Sequence, residues 1–376
     1  TLRILLFDRN SPKKLTIYAK DGPITIRNRN GHELELSDIQ PGVTFRSRSG
    51  NIVFDNNRKT ARSTEWHISS DEVSLIRIHH PETGFRYYRG NITLSISKTG
   101  NHIRVLNSVS LENYIASVIG GEMAFKEPEA LKAQAVISRT YALWNIDQSN
   151  QKAYDLTDHT SSQVYKGELI NKPRYLHAAM ATHGEILTWS NKLILAVYSS
   201  TCGGNTANNS TIWAGKDLPY LKSVDDNNAC SISPHFRWES SVPKAEIHNL
   251  FSNRANKMVT NIAIGESDQH GRVKTMFLYH YNKKIGSISA NNFRSKLTAQ
   301  QGRDAMKSTH FKMKKSGESY IFEGRGLGHG VGLCQWGAKS FAKSGWNYTD
   351  ILKFYYNGTE VKNLHFIDDN KISKAK

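Results

Sequence analysis

Residues 113–144 read NYIASVIGGEMAFKEPEALKAQAVISRTYALW, and the rest of the 376-residue chain is organised around them. The stretch predicts a helix, a tight turn holding Gly120, Gly121 and the single acid Glu122, and a second helix. Pro128 suits the first turn of that second helix, where a missing N–H costs no intrahelical bond. Glu127 and Glu129 lie at the positive end of its dipole, and Ala, Leu, Lys and Gln then give high propensity. On a wheel of about 100° per residue, Ala130, Ala133, Ile137, Tyr141 and Trp144 share one apolar face. Leu131, Val136, Ala142 and Leu143 carry apolar character round most of the remainder, the mark of a buried helix. Lys132 and Arg139 form a stripe on another face, and a buried helix with such a stripe needs an acid, a cleft or water for it.

Upstream, residues 1–110 predict a β-rich region. Leu15–Ala19, Ile24–Arg27, Val73–Ile78 and Ile92–Ser97 alternate with period two, and Asn30-Gly31 and Thr99-Gly100 are turn signals. His79-His80 is expected at the surface, and Ser110 is placed to cap the first helix. Downstream, a helix is expected over Tyr175–Thr182. A hairpin around Ser190-Asn191 then leads into an apolar strand, Leu193–Tyr198. That strand runs into Ser199-Ser-Thr-Cys-Gly-Gly-Asn-Thr206, where small hydroxyl residues and paired glycines allow either close backbone approach to a ligand or a plain turn.

From about residue 226 the composition becomes Asn/Lys-rich, with strands near 261–265 and 273–278 and helices near 245–254 and 289–297. This predicts a small α+β lobe over 226–320, and because the motifs on either side of it belong together it reads as an insertion that divides one core into 111–225 and 321–376. The whole is an α+β fold: a β-rich N-terminal region, then a mixed core carrying the insertion. Near the end, Gly324-Arg-Gly-Leu-Gly-His-Gly-Val-Gly332-Leu-Cys-Gln-Trp-Gly337 alternates glycine with side chains. No Lys-Ser/Thr follows, so this is not a phosphate-binding P-loop. The alternation suits an extended segment lying flat against another backbone or a sugar, with Arg325, Leu327, His329 and Val331 on one strand face.

The net charge of +17 favours polyanionic partners, but Lys and Arg are spread along the chain, which argues against a dedicated nucleic-acid groove. No apolar run is long enough to cross a bilayer. The chain opens with a strand pattern and no initiator Met, so a removed leader and an exported protein are expected. The three cysteines, Cys202, Cys230 and Cys334, form no CxxC. Two states stay open: a Cys202–Cys230 disulfide with Cys334 free, or three buried thiols. His159, flanked by Asp155 and Asp158 without thiols, makes no closed zinc site, so no metal and no cofactor are expected.

Glu122-Met123, Glu129-Ala-Leu-Lys-Ala-Gln-Ala-Val136 and Arg139-Thr-Tyr-Ala-Leu143 together resemble the signature of the SpoIID/LytB family, the stage II sporulation protein D and amidase-enhancer proteins of bacterial cell walls. The Ser199–Thr206 turn, Trp213, Pro219-Tyr-Leu221 and the glycine run are similar to further family motifs, so the resemblance spans about Leu111 to Gly358. It implies a peptidoglycan lytic transglycosylase that cleaves the glycan strand after N-acetylmuramic acid and leaves a 1,6-anhydro end. The family's Glu-Met acid maps onto Glu122. Other members enhance a wall amidase, which implies the alternative of a non-catalytic glycan-binding partner. The chain departs at Phe125-Lys126-Glu127, where the family often has Ser-Trp before Pro. It departs again at Cys334, commonly Ser, which argues against an essential thiol there.

The chemistry needs one carboxyl, because the sugar's own 6-hydroxyl replaces water where ordinary glycosidases use a second acid. Glu122 must be protonated, which calls for an apolar setting from Met123, Phe125 and the helix. Lys132 and Arg139 are then expected to hold substrate oxygens or secondary acids. Gln134, Tyr165, Ser200, Thr201, Arg325, His329 and Gln335 complete the expected substrate-binding set, and the Glu122 turn, the Lys132/Arg139 stripe, the Ser199–Asn205 turn and the Gly324–Gly332 run are expected to line one open groove. Tyr141, Trp213 and Trp336 are further aromatics for it, Tyr141 reading more as core. If the acid lies elsewhere, Glu112, Glu127 and Glu185 are next.

Overall fold

Alternating side chains with buried odd or even positions dominate the first hundred residues, and they form strands accordingly. A computed structural model of the chain describes residues 1–56, 59–148, 153–213, 215–252 and 258–364. The N-terminal strands are β1 (Leu2–Leu6), β2 (Lys14–Lys20), β3 (Ile24–Asn28), β4 (Glu33–Leu36), β5 (Val43–Arg48), β6 (Asn51–Asp55), β7 (Thr60–Ser63), β8 (Glu65–Ser70), β9 (Leu75–His80), β10 (Gly84–Tyr88), β11 (Asn91–Ile96) and β12 (Ile103–Val109). The fold is the expected α+β class with a β-rich N-terminal part. Contacts divide the chain into two compact units. One holds residues 1–186, 193–195 and the described residues after Val361, and the other holds 187–192 and 196–361.

In the first unit one sheet has the order β10-β9-β2-β5-β6-β7. The other has the order β13-β1-β12-β11-β8-β3-β4, where β13 is Leu156–Thr157, beyond the helices. Trp66 on β8 stacks on Phe54 of the opposite sheet at 5.0 Å and meets Phe45 edge-on at 5.5 Å. Its indole N–H donates to the Ile52 carbonyl at 3.3 Å, so the ring is fully buried without an orphan donor. His80, expected at the surface, is buried instead. Its Nδ1 accepts from the Glu82 amide at 3.1 Å and its Nε2 bonds the Asn10 carbonyl at 2.8 Å, tying down the neighbouring turn.

Three helices follow: α1 (Leu111–Glu122), α2 (Pro128–Gln148) and α3 (Pro173–Ala181). Ser110 caps α1 by accepting from the Asn113 amide. Gly120, Gly121 and Glu122 are not in a turn, as the sequence suggested, but form the last turn of α1, and the connection is residues 123–127. The buried positions of α2 run from Ala130 and Leu131 through Thr140 to Ala142, as its all-round apolar character requires. Among the described residues no helix is long and apolar enough to cross a membrane.

In the second unit, strands Arg237–Pro243, Ser319–Arg325 and Phe311–Ser316 form one antiparallel sheet, and Asn261–Ile264, Thr275–His280 and Lys283–Ser289 form another. Helices Lys244–Phe251 and Ala290–Gln301 complete a cluster whose core includes Trp238, Ile247, Met276, Phe293 and Phe322. Arg254, at the end of the helix expected over 245–254, lies outside the described residues. Ser190 and Asn191 make the expected tight turn, both at positive φ. The apolar strand expected after it is interrupted: only Lys192–Leu193 and Tyr198–Ser199 pair as strands. Between them the Val197 carbonyl accepts from the Tyr356 hydroxyl at 2.7 Å, a tertiary bond in place of a ladder bond.

Replacing Trp66 with Ala should cost about 3–5 kcal/mol, the range for deleting a fully buried large aromatic. Urea unfolding of the two proteins measures it. A loss under 1 kcal/mol would mean that the two sheets are not held by this stack.

Candidate functional site

Glu122 ends α1. A Cβ on Gly121 would stand 2.4 Å from the Val164 carbonyl, and one on Gly120 would stand 2.0 Å from the Leu169 side chain. The glycine pair therefore lets the 163–169 segment lie directly on the end of the helix. That approach brings the Val164 amide to Glu122, where it donates to Oε1 at 2.8 Å. The neighbouring Lys166 amide donates to Ser117 Oγ at 3.2 Å, so the segment is pinned along α1. Glu122 is half-buried. Burial raises the phenol pKa of Tyr141 above its ordinary value, and the charge of Glu122 adds to the rise after a partly opposing bond to Asn145. Tyr114 is raised well above its ordinary value, first by burial, then by Tyr141 and Glu122. The half-buried Glu122 carboxyl is thus close enough for its charge to act on both phenols.

The cations of α2 hold acids of their own. Arg139 is fully buried. Its Nε and Nη2 bond Glu112 at 2.9 and 2.5 Å, Nη1 bonds the Glu185 carbonyl at 2.8 Å, and Nη2 also bonds the Ala179 carbonyl at 3.1 Å. Four of its five donors are committed inside the fold, which corrects the substrate-oxygen role and supports the secondary-acid one. Lys132 Nζ donates to Glu129 at 2.8 Å across one helical turn. Gln134 is buried, with Nε2 on Ser138 Oγ at 3.0 Å, so it does not offer itself to substrate. Tyr165 is also buried: it stacks on Tyr114 at 5.2 Å and its hydroxyl donates to Asn107 Oδ1 at 2.6 Å. In the sequence Glu112 is only a spare acid. Nothing in the spacing showed that it sits 27 residues away from its guanidinium partner.

The other expected residues lie in the second unit. The glycine run is not a flat strand. Gly326, Gly328, Gly330 and Gly332 have φ of 81°, 102°, 78° and 71°, outside the extended region, so the run lacks the strand geometry that would put the intervening side chains on one face. The run laces onto the Ser199–Cys202 backbone, with Thr201 and Leu327 exchanging amide bonds at 3.1 and 2.8 Å. A Cβ at Gly332 would meet the Val197 carbonyl at 1.9 Å, so packing against another backbone, one of the two expected uses, is what the run does.

Thr201 is buried with its hydroxyl on Ser233 at 2.8 Å, and Gln335 is buried at the start of helix Gln335–Lys343. Both are corrected from substrate contacts to interior positions. Ser200 and Arg325 are half-buried. Arg325 and Asn205 border a cleft of about 750 Å³ that Trp238, Phe311, His270 and His310 also line.

His329 packs its ring on Trp213 at 4.9 Å and accepts from the Val331 amide at 3.0 Å. Desolvation, with the Arg294 charge and then Arg272, holds its pKa down to about 3 against a partial pull upward from the Tyr198 backbone, so the imidazole is neutral at physiological pH. Cys202 and Cys230 are not bonded: their sulphurs stand 3.6 Å apart, and Cys334 joins them as a third buried thiol.

A family profile described as stage II sporulation protein, SpoIID, matches residues 99–189, and a profile described only as a domain of unknown function matches residues 228–332. An uncharacterised protein of Brachyspira hyodysenteriae is 32% identical over 77% of this chain and 75% of its own length. Stage II sporulation protein D of Bacillus subtilis is 28% identical over 82% of this chain and 89% of its own length. The amidase enhancer of the same organism is 30% identical over 66% of this chain but only 40% of its own length.

Arg139→Met should cost about 3–5 kcal/mol by leaving the mostly covered Glu112 without its cation, and adding Glu112→Leu should recover part of that. Thermal unfolding of the single and double variants tests this; a soluble, fully stable single variant would return Arg139 to the substrate. A second outcome concerns pH. The unfolded chain protonates His329 near pH 6.5 while the folded chain resists until about pH 3, so this contribution is present above that window and is lost as pH falls through it. The wild-type minus His329→Gln difference in stability should therefore shrink from pH 7 to pH 4; a flat difference would show that the ring is solvated in the fold.

Proposed function

Because this chain belongs to the SpoIID/LytB family, we propose that it acts on the bacterial cell wall as a peptidoglycan lytic transglycosylase, with Glu122 as its single acid–base group. The observation that carries the reading is the seat of that carboxyl. A glycine pair brings the 163–169 backbone onto the end of α1, and the Val164 amide fixes Oε1 at 2.8 Å. A half-buried carboxyl whose Oε1 accepts from the Val164 N–H is oriented for proton transfer with a defined direction.

In the proposed reaction the protonated Glu122 donates to the glycosidic oxygen after N-acetylmuramic acid. As the bond from that sugar's C1 to the leaving oxygen breaks, positive charge builds on the ring. The same sugar's 6-hydroxyl oxygen then bonds to C1, and its proton passes to the Glu122 carboxylate. The products are a free hydroxyl on the departing strand and a 1,6-anhydro end, with no water consumed and the acid regenerated. Arg139 suits this scheme from a distance, since its charge is matched by Glu112. Ser200, Arg325 and the neutral His329, in the second unit, stand in the proposal as glycan contacts. A wall location outside the cytoplasm follows from the substrate.

The likeness to an amidase enhancer favours a second reading, in which the protein binds glycan and assists a wall amidase without cutting. Purified glycan strands, with and without stem peptides, separate the two: anhydro-muropeptides in the mass spectrum support the lyase, and retained binding without them supports the enhancer. Glu122→Gln should lower formation of anhydro ends by more than about a hundredfold while leaving the melting temperature and glycan binding in place, since the amide neither donates nor takes back the proton. Undiminished cleavage by this variant would move the acid elsewhere.

A further inference from the structure

The second unit gathers four metal-ligating side chains that no motif spacing announces. Cys202, Asp226, Cys230 and Cys334 each bring one ligand atom within 4.8 Å of the others, and all four residues are buried. They come from separate places. Cys202 follows the strand Tyr198–Ser199, Asp226 and Cys230 flank the start of the short helix Ala229–Ile232, and Cys334 caps helix Gln335–Lys343. From this juxtaposition we infer a structural zinc site of the three-thiolate, one-carboxylate type. It is separate from the chemistry proposed for Glu122.

The spacing fits the ion. Zinc binds sulphur at about 2.3 Å and carboxylate oxygen at about 2.0–2.2 Å, so a tetrahedral site sets its sulphurs about 3.8 Å apart and sulphur from oxygen about 3.5 Å. Cys202 and Cys230 sulphurs are 3.6 Å apart, and the Cys202 sulphur is 3.0 Å from Asp226 Oδ2. Asp226 Oδ1 is buried with no hydrogen-bond partner among the described residues, a ligand oxygen in want of a cation. A Cys202–Cys230 disulfide would use only two of these groups and leave Cys334 and Asp226 facing it in a dry interior.

The surroundings are those of metal-bound thiolates. The Cys202 and Gly337 amides donate to the Cys334 sulphur at 3.2 and 3.4 Å, and the Gly203 and Gly204 amides bond the Cys230 sulphur. Such N–H to sulphur bonds orient thiolates and stabilise their charge. Three thiolates, one carboxylate and a divalent ion leave a net charge of −2. The buried guanidinium of Arg272 offsets one unit of it: it bonds the Cys202 and Asn205 carbonyls at 2.9 and 3.1 Å, and its Nη1 is buried without a partner among the described residues. The soft, sulphur-rich donor set selects zinc over magnesium or calcium. Binding releases the thiol protons to solvent and involves no change of oxidation state, so it needs no other reagent. The ion would cross-link the Ser199–Asn205 turn, the 226–230 segment and the end of the glycine run.

The test uses the whole chain, produced with zinc supplied and purified without chelator. Elemental analysis should give one zinc per chain. Exchange with cobalt(II) should give thiolate-to-metal charge-transfer and tetrahedral d–d absorption. Cys334→Ser and Asp226→Asn should lower occupancy, alter the cobalt spectrum and reduce the melting midpoint. The wild-type metal content and spectrum stand even if a variant fails to fold. The site is overturned by absence of zinc and of a cobalt spectrum in wild type, by a Cys202–Cys230 disulfide in the intact mass, or by zinc retained in a folded Cys202→Ala/Cys230→Ala variant.

Discussion

The guanidinium of Arg139 is the contact on which the first unit's helical part depends. It lies in the interior and joins the first turn of α1 through Glu112, the end of α3 through the Ala179 carbonyl, and the start of the next strand through the Glu185 carbonyl. An unmatched cation there would cost several kcal/mol, so the three elements hold their angles only while the pair is intact. Glu112 and Glu122 lie on the same helix, and fixing one end of α1 fixes where the other points. The long reach from Arg139 to the candidate acid is therefore mechanical: the pair sets the axis, and the glycine pair at the far end of that axis admits the backbone that orients the carboxyl.

The second unit meets its constraints by a different route. Main-chain pairing between the Ser199–Cys202 backbone and the glycine run supplies what side-chain packing supplies in the first unit. Glycine at positive φ makes possible carbonyl contacts that any Cβ would block, and the run ends on the helix cap that Cys334 forms. Proximity of backbones, not a designed-looking motif, is what draws the scattered sulphurs and Asp226 together.

What was legible in the sequence was local. The cap at Ser110, the burial of α2 and the period-two strands of the N-terminal region all follow from neighbours within a turn or a ladder. The helix C-cap fared less well, since Gly120 and Gly121 signal a turn by composition but serve here as smooth surface on a continuing helix. Roles set by distant partners were not legible. Tyr165 offers the composition of a sugar platform, yet its hydroxyl belongs to Asn107, 58 residues away. Cys202 and Cys334 are 132 residues apart, and spacing rules for metal ligands read only what is close in sequence. Alternating glycine has the periodicity of a strand, but periodicity does not reveal the sign of φ.

One feature of the first unit bears on how the protein comes to exist. β1 lies between β12, to which it is antiparallel, and β13, to which it is parallel. The Arg3 amide accordingly donates to Asp155, 152 residues along. A ribosome delivers β1 well before β13, and the edge of β1 that β13 covers stays open until α1 and α2 have been made. Closing so large a loop is entropically slow, and an open strand edge invites pairing with other chains. The last strand of this sheet thus works as a latch on a nascent chain, and assembly of the unit waits on translation of the very helices that carry its candidate acid.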